Sequence, residues 1–188
     1  MQTRMEALNS MGQFLSGFRV TLNRTERAVA DWAMVDDYQA VLDLSCARGH
    51  LLSHYLSAYQ LRGCGLCYDN GDAQNLREGL NRAEIMYTMG ADIPWKESSF
   101  DRVLMAAPVP GYVAMQDLFH EVLRVLKPGG KFVAAVGALN SNPGLCSFHR
   151  HGDLLLSHLK QMEEIGFTNV AYNKSRFRSR CLLASKPK

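Results

Sequence analysis

The segment VLDLSCARGHL, residues 41–51, decides how this chain folds. Its first residues belong to an apolar run, 40–45, that predicts a short buried strand, and a helical pattern of apolar residues begins at residue 49. A strand that enters a helix through a tight turn is the first unit of a parallel α/β sheet. Such turns are usually rich in glycine, yet this one holds only Gly49.

The same alternation of strand-like and helix-like segments continues along the chain. Apolar runs predict further strands, and apolar residues at helical spacing predict the helices between them. The predicted order is an α/β, Rossmann-like, mostly parallel sheet with helices on both faces, which binds ligands at the carboxyl ends of its central strands. Further strands are predicted over 63–68, 84–89, 99–107, 131–138, 168–174 and 177–184, and helices over 23–35, 49–60, 72–83, 113–126 and 153–167.

Composition is that of an ordinary globular protein. Of the 188 residues, 47% are hydrophobic and 21% are charged, and no run approaches the 18 apolar residues of a membrane span. The five cysteines are odd in number and irregularly spaced, which favours a reducing cytoplasm over a disulfide framework. We therefore expect one cytoplasmic domain over 1–188, with 1–36 forming a helical N-terminal cap.

Several segments carry a resemblance to a known family. VLDLSCARGHL (41–51), GADIPWKESSFDRVL (90–104) and LFHEVLRVLKPGGKFVAAV (118–136) resemble three successive motifs of class I S-adenosylmethionine-dependent methyltransferases, nearest to the ubiquinone/menaquinone-biosynthesis type. LKQMEEIGFTNV (159–170) and LLASKPK (182–188) are similar to that family's last helix and final strand pair. The resemblance covers about residues 38–188. It implies a seven-stranded sheet with the last strand antiparallel, S-adenosylmethionine as cofactor, and methyl transfer.

In this family the first turn reads Asp-x-Gly-x-Gly-x-Gly, and the resemblance aligns it with Asp43, Ser45, Ala47 and Gly49. Asp43 and Gly49 match the pattern. Ser45 and Ala47 each add a Cβ where the backbone approaches the methionine part of the cofactor, or where φ is positive. A positive φ forced on such a residue costs roughly 1 kcal/mol or more, which corresponds to about tenfold in affinity.

The resemblance places two further cofactor contacts after strands two and three. The acid that accepts from the ribose hydroxyls aligns with Cys67, whose thiol is a poor acceptor. Asp69 lies two residues further along and, if the strand continues, on the same side, so it is the alternative acceptor. The adenine contact aligns with Met89, followed by Gly90. Methionine packs against adenine but does not accept the hydrogen bond of its amino group well.

The loop after strand four is expected to face the methyl donor and the acceptor. Ala106 and Ala107 align with positions that approach the cofactor, and Tyr112 lies on the substrate side. His149 and His151 lie in the long connection after strand five, where members of the family build substrate contacts. These two histidines and Tyr112 are candidates for substrate binding by position only, and we assign no general base.

Two cysteine patterns could indicate redox or metal chemistry, or only side chains that pack in the core. CGLC, 64–67, matches Cys-x-x-Cys, but thiols three residues apart on a strand point to opposite faces, so small apolar filling is favoured over redox or metal chemistry. Cys146, His149 and His151 fit no standard zinc spacing. We therefore expect no metal site.

A basic stripe closes the sequence. Lys174, Arg176, Arg178 and Arg180 alternate strictly near the last two predicted strands. A solvated sheet edge protected from aggregation by charge is the favoured interpretation, and an anionic substrate or nucleic acid is the alternative. Phe177 is the one aromatic residue among them and points to the other side of a strand, so we do not expect a nucleic-acid partner.

Two hypotheses for function follow, with a weaker third. The first is an S-adenosylmethionine-dependent methyltransferase acting on a small-molecule acceptor. The second is a non-catalytic protein of the same fold that has lost normal cofactor binding and acts as a ligand- or protein-binding module, because all three polar contact elements are altered. The third, an RNA-modifying enzyme, depends on the basic stripe.

Overall fold

The computed structural model describes residues 21–46, 48–139, 150–173 and 180–188, with the backbone alone over 150–153. No helix in these ranges is both long and apolar enough to cross a bilayer. Helices run over Arg24–Ala33 (α1), His50–Ala58 (α2), Asn70–Gly79 (α3), Met115–Val125 (α4) and Arg150–Ile165 (α5), and a 3₁₀ turn covers Val136–Leu139. Strands run over Ala40–Asp43 (β1), Arg62–Cys67 (β2), Ala83–Tyr87 (β3), Phe100–Met105 (β4), Leu126–Ala135 (β5), Thr168–Tyr172 (β6) and Cys181–Ser185 (β7).

The seven strands form one sheet in the order β3-β2-β1-β4-β5-β7-β6. β1, β2, β3, β4 and β5 pair in parallel, and β7 is antiparallel to both β5 and β6. The predicted α/β Rossmann-like fold, with its seven strands and antiparallel last strand, is confirmed. The strand order reverses between β1 and β4, and ligands bind at the carboxyl ends of strands at such a switch point.

The start of β5 differs from the sequence prediction. The sequence predicts a helix over 113–126 and a strand over 131–138, with residues 127–130 between them in neither element, but β5 begins at Leu126 directly after α4 and ends at Ala135. The pairing with β4 is interrupted by a register shift between Phe100 and Arg102, which accommodates the Pro-Gly-Gly sequence. Gly129 adopts a φ of 76° and its N–H donates to the carbonyl of Lys186, so the irregular stretch is held by the end of the chain.

Helix α1 is fixed at both ends. Asn23 caps it by accepting a hydrogen bond from the N–H of Glu26 at 2.9 Å, while the Glu26 carboxylate accepts from the N–H of Asn23 at 2.7 Å. At the other end, the Arg102 guanidinium of β4 donates to the carbonyls of Ala33 at 2.8 Å and Met34 at 3.3 Å. The first turn of α1 is therefore held in a fixed place relative to the sheet. This helix is the described part of the predicted cap over 1–36.

The apolar interior has two separate parts. The main core lies between the central strands and helices α1, α4 and α5, and includes Phe119 and Phe132 in edge-to-face contact with ring centroids 6.3 Å apart. A second, smaller cluster lies where α2 and α3 meet β2 and β3. Its fully buried members are Cys46, Leu52, Cys67, Ala73 and Ile85. The smaller cluster supports the wall of the site described next.

Candidate active site

Two adjacent cavities open at the carboxyl ends of β1, β2 and β4. The larger has a volume of about 490 Å³ and the smaller about 200 Å³. Ser45 and Ala107 line both. The larger cavity is also lined by Leu66, Cys67, Tyr68, Asp69, Asp72 and the loop 108–111, and the smaller by Asn23, Glu26, Asp43, Arg48, Gly49 and His50, among others. Cavities of a few hundred Å³ at a switch point are of the size that holds a small organic ligand.

The first turn, residues 44–49, is tied to both neighbouring strands. The Leu44 N–H donates to the carbonyl of Leu104 in β4 at 2.8 Å, and the Cys46 N–H donates to the carbonyl of Leu66 in β2 at 3.3 Å. Gly49 has a φ of 64° and a Cβ there would lie 2.7 Å from a methyl carbon of Leu76. Glycine is therefore required at this position both by its backbone conformation and by packing.

Ser45 does not carry the backbone strain that the sequence suggested. Its φ is outside the left-handed region, so of the two expected effects of a Cβ at this position the forced positive φ does not occur, and the approach of the Cβ to a ligand stays a prediction. Its side chain acts differently: the Ser45 Oγ accepts a hydrogen bond from the N–H of Ala107 at 3.1 Å. Because both residues line both cavities, this contact forms a bridge between them. We call it the Ser45–Ala107 bridge.

Acidic groups collect in the smaller cavity. Asp43 is 3% exposed, and burial raises its pKa from 3.8 to about 7. The hydrogen bond that its carboxylate accepts from the Ser45 N–H at 3.1 Å lowers this pKa, and the nearby charge of Glu26 raises it. The Glu26 carboxylate also lies 3.2 Å from the Nδ1 of His50. Two carboxylates on one wall favour a cationic group such as an ammonium.

The amino end of α2 offers the opposite chemistry to the same cavity. Gly49 is the N-cap and provides no side chain to accept from the first turn of the helix. The N–H groups of a helix's first turn have no partner within the helix and favour anions such as a carboxylate. His50 and Leu51, the first two residues of the helix, line the smaller cavity. The cavity therefore combines acceptors for an ammonium with donors for a carboxylate.

In the larger cavity the structure separates Cys67 from Asp69. The Cys67 side chain is 1% exposed and its Sγ lies 3.2 Å from the Sγ of Cys46. Asp69 is exposed, and its Oδ1 caps α3 by accepting from the N–H of Asp72 at 2.9 Å. The cap uses only Oδ1, and the second carboxylate oxygen has no hydrogen-bond partner among the described residues. β2 ends at Cys67, so the strand does not continue to Asp69 as the prediction required, but Asp69 lines the larger cavity and its role as ribose acceptor stays a prediction.

Some of the remaining predicted cofactor and substrate residues line a cavity and others do not. Ala106 lines the smaller cavity and Ala107 lines both. Met89 is 74% exposed, and neither Met89 nor Gly90 lines either cavity. Tyr112 is 65% exposed and follows the loop 108–111 that lines the larger cavity. The roles assigned to these five residues stay predictions.

Other predicted residues lie outside the described part of the chain. These are Ala47, Cys146, His149, the side chain of His151, and three members of the basic stripe, Lys174, Arg176 and Arg178. The fourth, Arg180, is exposed just before β7. Among the residues that the structure describes, no group of three or more potential ligands is placed to hold a metal ion.

Sequence reasoning missed several residues of the site. Tyr68 lines the larger cavity, and its buried hydroxyl has no hydrogen-bond partner among the described residues; burial raises the pKa of this phenol. Asn23, Glu26 and His50 were not considered as site residues. The capping box at Asn23 and Glu26 was a visible signal for a helix start, but only the packing of α1 shows that this start reaches the cavity.

The comparisons with known proteins agree with this architecture. Residues 42–134 match the family model described as a methyltransferase domain. An uncharacterized protein of Methanocaldococcus jannaschii, MJ1233, is 33% identical over 79 residues, which are 40% of this chain and only 25% of that protein. The chain thus spans a small part of that curated relative.

Two solved structures share the fold at low identity. One is a chain in the complex between the Haloferax volcanii Trm112 methyltransferase activator and a methyltransferase, with a TM-score of 0.69, 17% identity, and coverage of 88% of this chain and 90% of that one. The other is a TehB-like SAM-dependent methyltransferase from Corynebacterium glutamicum, with a TM-score of 0.65, 18% identity, and coverage of 100% and 98%. These matches show the methyltransferase fold and, with the family model, support methyl transfer; the ubiquinone-type subgroup stays a prediction.

Proposed function

We propose that this protein is an S-adenosylmethionine-dependent methyltransferase acting on a small-molecule acceptor. The observation that carries the proposal is the pair of adjacent cavities at the switch point of a methyltransferase fold, one with amino-acid-binding chemistry and one large enough for a nucleoside. The family match over 42–134 includes the first turn, Asp69 and the loop 108–111. It therefore covers most of the residues that line the two cavities.

The residues present fit the cofactor. In the smaller cavity, the first turn of α2 would hold the carboxylate of its methionine part, and Asp43 with Glu26 would hold the ammonium. In the larger cavity, Asp69 would accept from the ribose hydroxyls, and the apolar surfaces of Leu66 and Tyr68 would lie against the base. The bound sulfonium supplies an already activated methyl group, so alignment of the acceptor accounts for much of the rate.

Exclusion of water and choice of acceptor fall to the loop after β4. Its two prolines, Pro108 and Pro110, restrict the backbone of the segment that closes the larger cavity. Tyr112 and the connection that includes His149 and His151 are the positions from which an acceptor would be held. We place the reaction in the cytoplasm, in keeping with the reduced thiols of Cys46, Cys64 and Cys67.

One observation favours the second hypothesis, a non-catalytic binding module. Both residues of the Ser45–Ala107 bridge line both cavities, so a ligand that spans the two would have to pass this hydrogen bond. Cys67 and Met89 also stand where the resemblance implies hydrogen-bonding side chains. Loss of cofactor binding with retention of the cavities would leave a protein that binds a smaller ligand or a partner through the same cleft.

Calorimetry separates the two hypotheses. S-adenosylmethionine and S-adenosylhomocysteine are titrated into the full chain, and thermal unfolding is followed with and without each compound. The methyltransferase proposal expects micromolar binding and an upward shift of the melting temperature. Absence of heat and of any shift at millimolar compound contradicts it and supports the binding module. A transfer RNA with no salt-dependent binding would remove the RNA-modifying alternative.

A further inference from the structure

Two buried thiols face each other beneath the cleft. Cys46 lies in the first turn and Cys67 is the last residue of β2, and their sulfur atoms are 3.2 Å apart. Each residue is 1% exposed. The main chains are held together here because the Cys46 N–H donates to the carbonyl of Leu66. The two thiols are 21 residues apart in sequence, so the fold and not a local motif creates the pair.

A glycine makes room for this pair. A Cβ added at Gly65 would lie 2.5 Å from the Cys46 Sγ, closer than real contacts allow. Any side chain at position 65 would therefore push the Cys46 thiol away from its present place. The absence of a side chain at Gly65 is what lets the Cys46 thiol lie against β2 and reach Cys67.

We propose that Cys46 and Cys67 form a reversible disulfide when the protein meets a peroxide, and that this bond changes the shape of the cleft. A disulfide requires the sulfurs to approach to about 2.05 Å, which is a movement of roughly 1 Å from their present separation. The two residues lie on different elements that both end at the cleft, so the movement draws the first turn toward the end of β2.

The other described cysteines have different surroundings. The Cys64 thiol donates to a Glu84 carboxylate oxygen at 3.7 Å, on the opposite face of β2 from Cys67. Cys181 is buried in β7, near the other edge of the sheet. The Cys-x-x-Cys pattern of 64–67 is thus not the redox pair, and the partner of Cys67 is Cys46.

The chemistry begins at Cys67. Cys67 lines the larger cavity, whose rim includes exposed residues such as Asp69 and Ala107, so a small oxidant reaches it from solvent. Cys46 lines the smaller cavity. We take Cys67, on the wall of the larger cavity, as the nucleophile and Cys46 as the resolving thiol. The contact between the two sulfurs lowers the pKa of Cys67 and, together with burial, raises the pKa of Cys46, which agrees with this order.

Hydrogen peroxide oxidises the thiol pair in two steps. The Cys67 thiolate attacks one oxygen of hydrogen peroxide; the O–O bond breaks, a sulfenic acid forms, and the departing hydroxide takes up a proton to become water. The sulfur of Cys46 then attacks the sulfenic sulfur; the S–O bond breaks, and the released hydroxide combines with the thiol proton as a second water. The two sulfurs together lose two electrons, which the peroxide accepts.

The test uses the reduced full chain and hydrogen peroxide. We expect the loss of two thiols, a linked peptide that contains Cys46 and Cys67, and recovery of both thiols with dithiothreitol. In Cys46→Ser, a dimedone adduct should form on Cys67, because the resolving thiol is missing. Cys64→Ser is the matched control and should behave like the parent chain. Thermal unfolding of each reduced variant verifies that it is folded.

Two outcomes would overturn the proposal. One is a folded, reduced protein that gives no Cys46–Cys67 peptide at any peroxide concentration that leaves it folded. The other is a linked peptide that joins Cys67 to Cys64 instead. Both readouts are independent of any cofactor.

The effect on the cleft is tested separately, and this arm rests on the proposed function. S-adenosylhomocysteine is titrated into the reduced and the oxidised protein, and we expect weaker binding, by several-fold, after oxidation. Binding to neither form contradicts the methyltransferase proposal but leaves the disulfide standing. Equal binding to both forms contradicts the control of the cleft by the disulfide.

Discussion

The two cavities differ in how they keep their binding chemistry. The smaller cavity is lined by Asp43 and Gly49, which match the pattern that the resemblance implies, and its donors are main-chain groups of α2. The larger cavity has Cys67 on its wall, where the resemblance implies an acid, and the carboxylate of Asp69 two residues further along the chain. Sites made of backbone depend on a conformation that few residues allow, so they tolerate little change. Sites made of side chains tolerate relocation, because a carboxylate two residues away can reach the same space.

The largest effect is expected from Gly49→Ala. The new Cβ meets Leu76 and Leu80 at 2.7 and 2.8 Å and the backbone stays in the left-handed region, so we expect a loss of about 3 kcal/mol in the free energy of unfolding. Urea denaturation measures it. Gly79→Ala is the control: apart from its chain neighbours and the backbone of its own helix, no atom of the described residues lies within 4 Å of the new Cβ, so stability should stay equal or rise slightly. An equal free energy of unfolding in Gly49→Ala and Gly79→Ala would contradict the conclusion that position 49 requires glycine.

Asp43→Asn tests the side-chain part of the smaller cavity. Removal of a buried charge that faces an ammonium should weaken S-adenosylhomocysteine binding by about tenfold or more. Calorimetry at pH 8, where Asp43 is ionised, gives the affinity. Asp117→Asn, an exposed position on α4, is the control and should bind like the parent chain. An unchanged affinity in Asp43→Asn would show that the ammonium is held elsewhere.

The same substitution predicts a pH dependence of stability. Burial raises the pKa of Asp43 to about 7 in the folded protein, above its ordinary 3.8, so between these values the folded state binds the extra proton. The contribution of Asp43 to stability is therefore greatest below pH 4 and declines as pH rises to 7. The stability of Asp43→Asn relative to the parent should increase over that window. Denaturation at pH 4.5 and 7.5 measures it; a decrease would contradict the assignment.

Ser45→Gly is expected to open the space between the two cavities. Loss of the Ser45–Ala107 bridge and of the Cβ should raise affinity for S-adenosylhomocysteine by about two- to tenfold, the range of one neutral hydrogen bond. Ser45→Ala keeps the Cβ and removes the hydroxyl, so comparison of Ser45→Ala with Ser45→Gly separates the effect of the hydrogen bond from that of the Cβ. An affinity that falls in both variants would mean that the hydroxyl contacts the ligand.

The smallest effect concerns the relocated carboxylate. Asp69→Asn keeps the cap of α3, because asparagine caps as well as aspartate, and it removes the charge from the larger cavity. We expect a loss of a few-fold in affinity with unchanged stability. Glu78→Gln, an exposed position on the same helix, is the control. Unchanged binding of S-adenosylhomocysteine by Asp69→Asn would contradict the prediction that Asp69 accepts from the ribose hydroxyls.

Local sequence signals predicted the elements, and contacts between distant residues decided the site. Strands and helices followed from apolar periodicity, and Gly49 and Asp43 were recognised because the motif is contiguous. The Ser45–Ala107 bridge joins residues 62 positions apart, and no local pattern indicates it. The pairing of Cys46 with Cys67 was missed for the same reason. The start of β5 was misread because Pro-Gly-Gly usually marks a turn, while pairing with β4 and the chain end holds it in the sheet.

The division of the interior into two cores has a consequence for how the molecule fluctuates. The small cluster of Cys46, Leu52, Cys67, Ala73 and Ile85 is not continuous with the main core. Helix α2 also contributes Leu51 and Tyr55 to the main core, whereas the buried residue of α3, Ala73, belongs to the small cluster. Opening the small cluster exposes few apolar groups, so α3 can part from β2 and β3 at a lower free energy than global unfolding requires. Amide protons of α3 should exchange with solvent earlier than those of β4 and β5. The same brief openings would admit ligands and oxidants to groups that are buried on average.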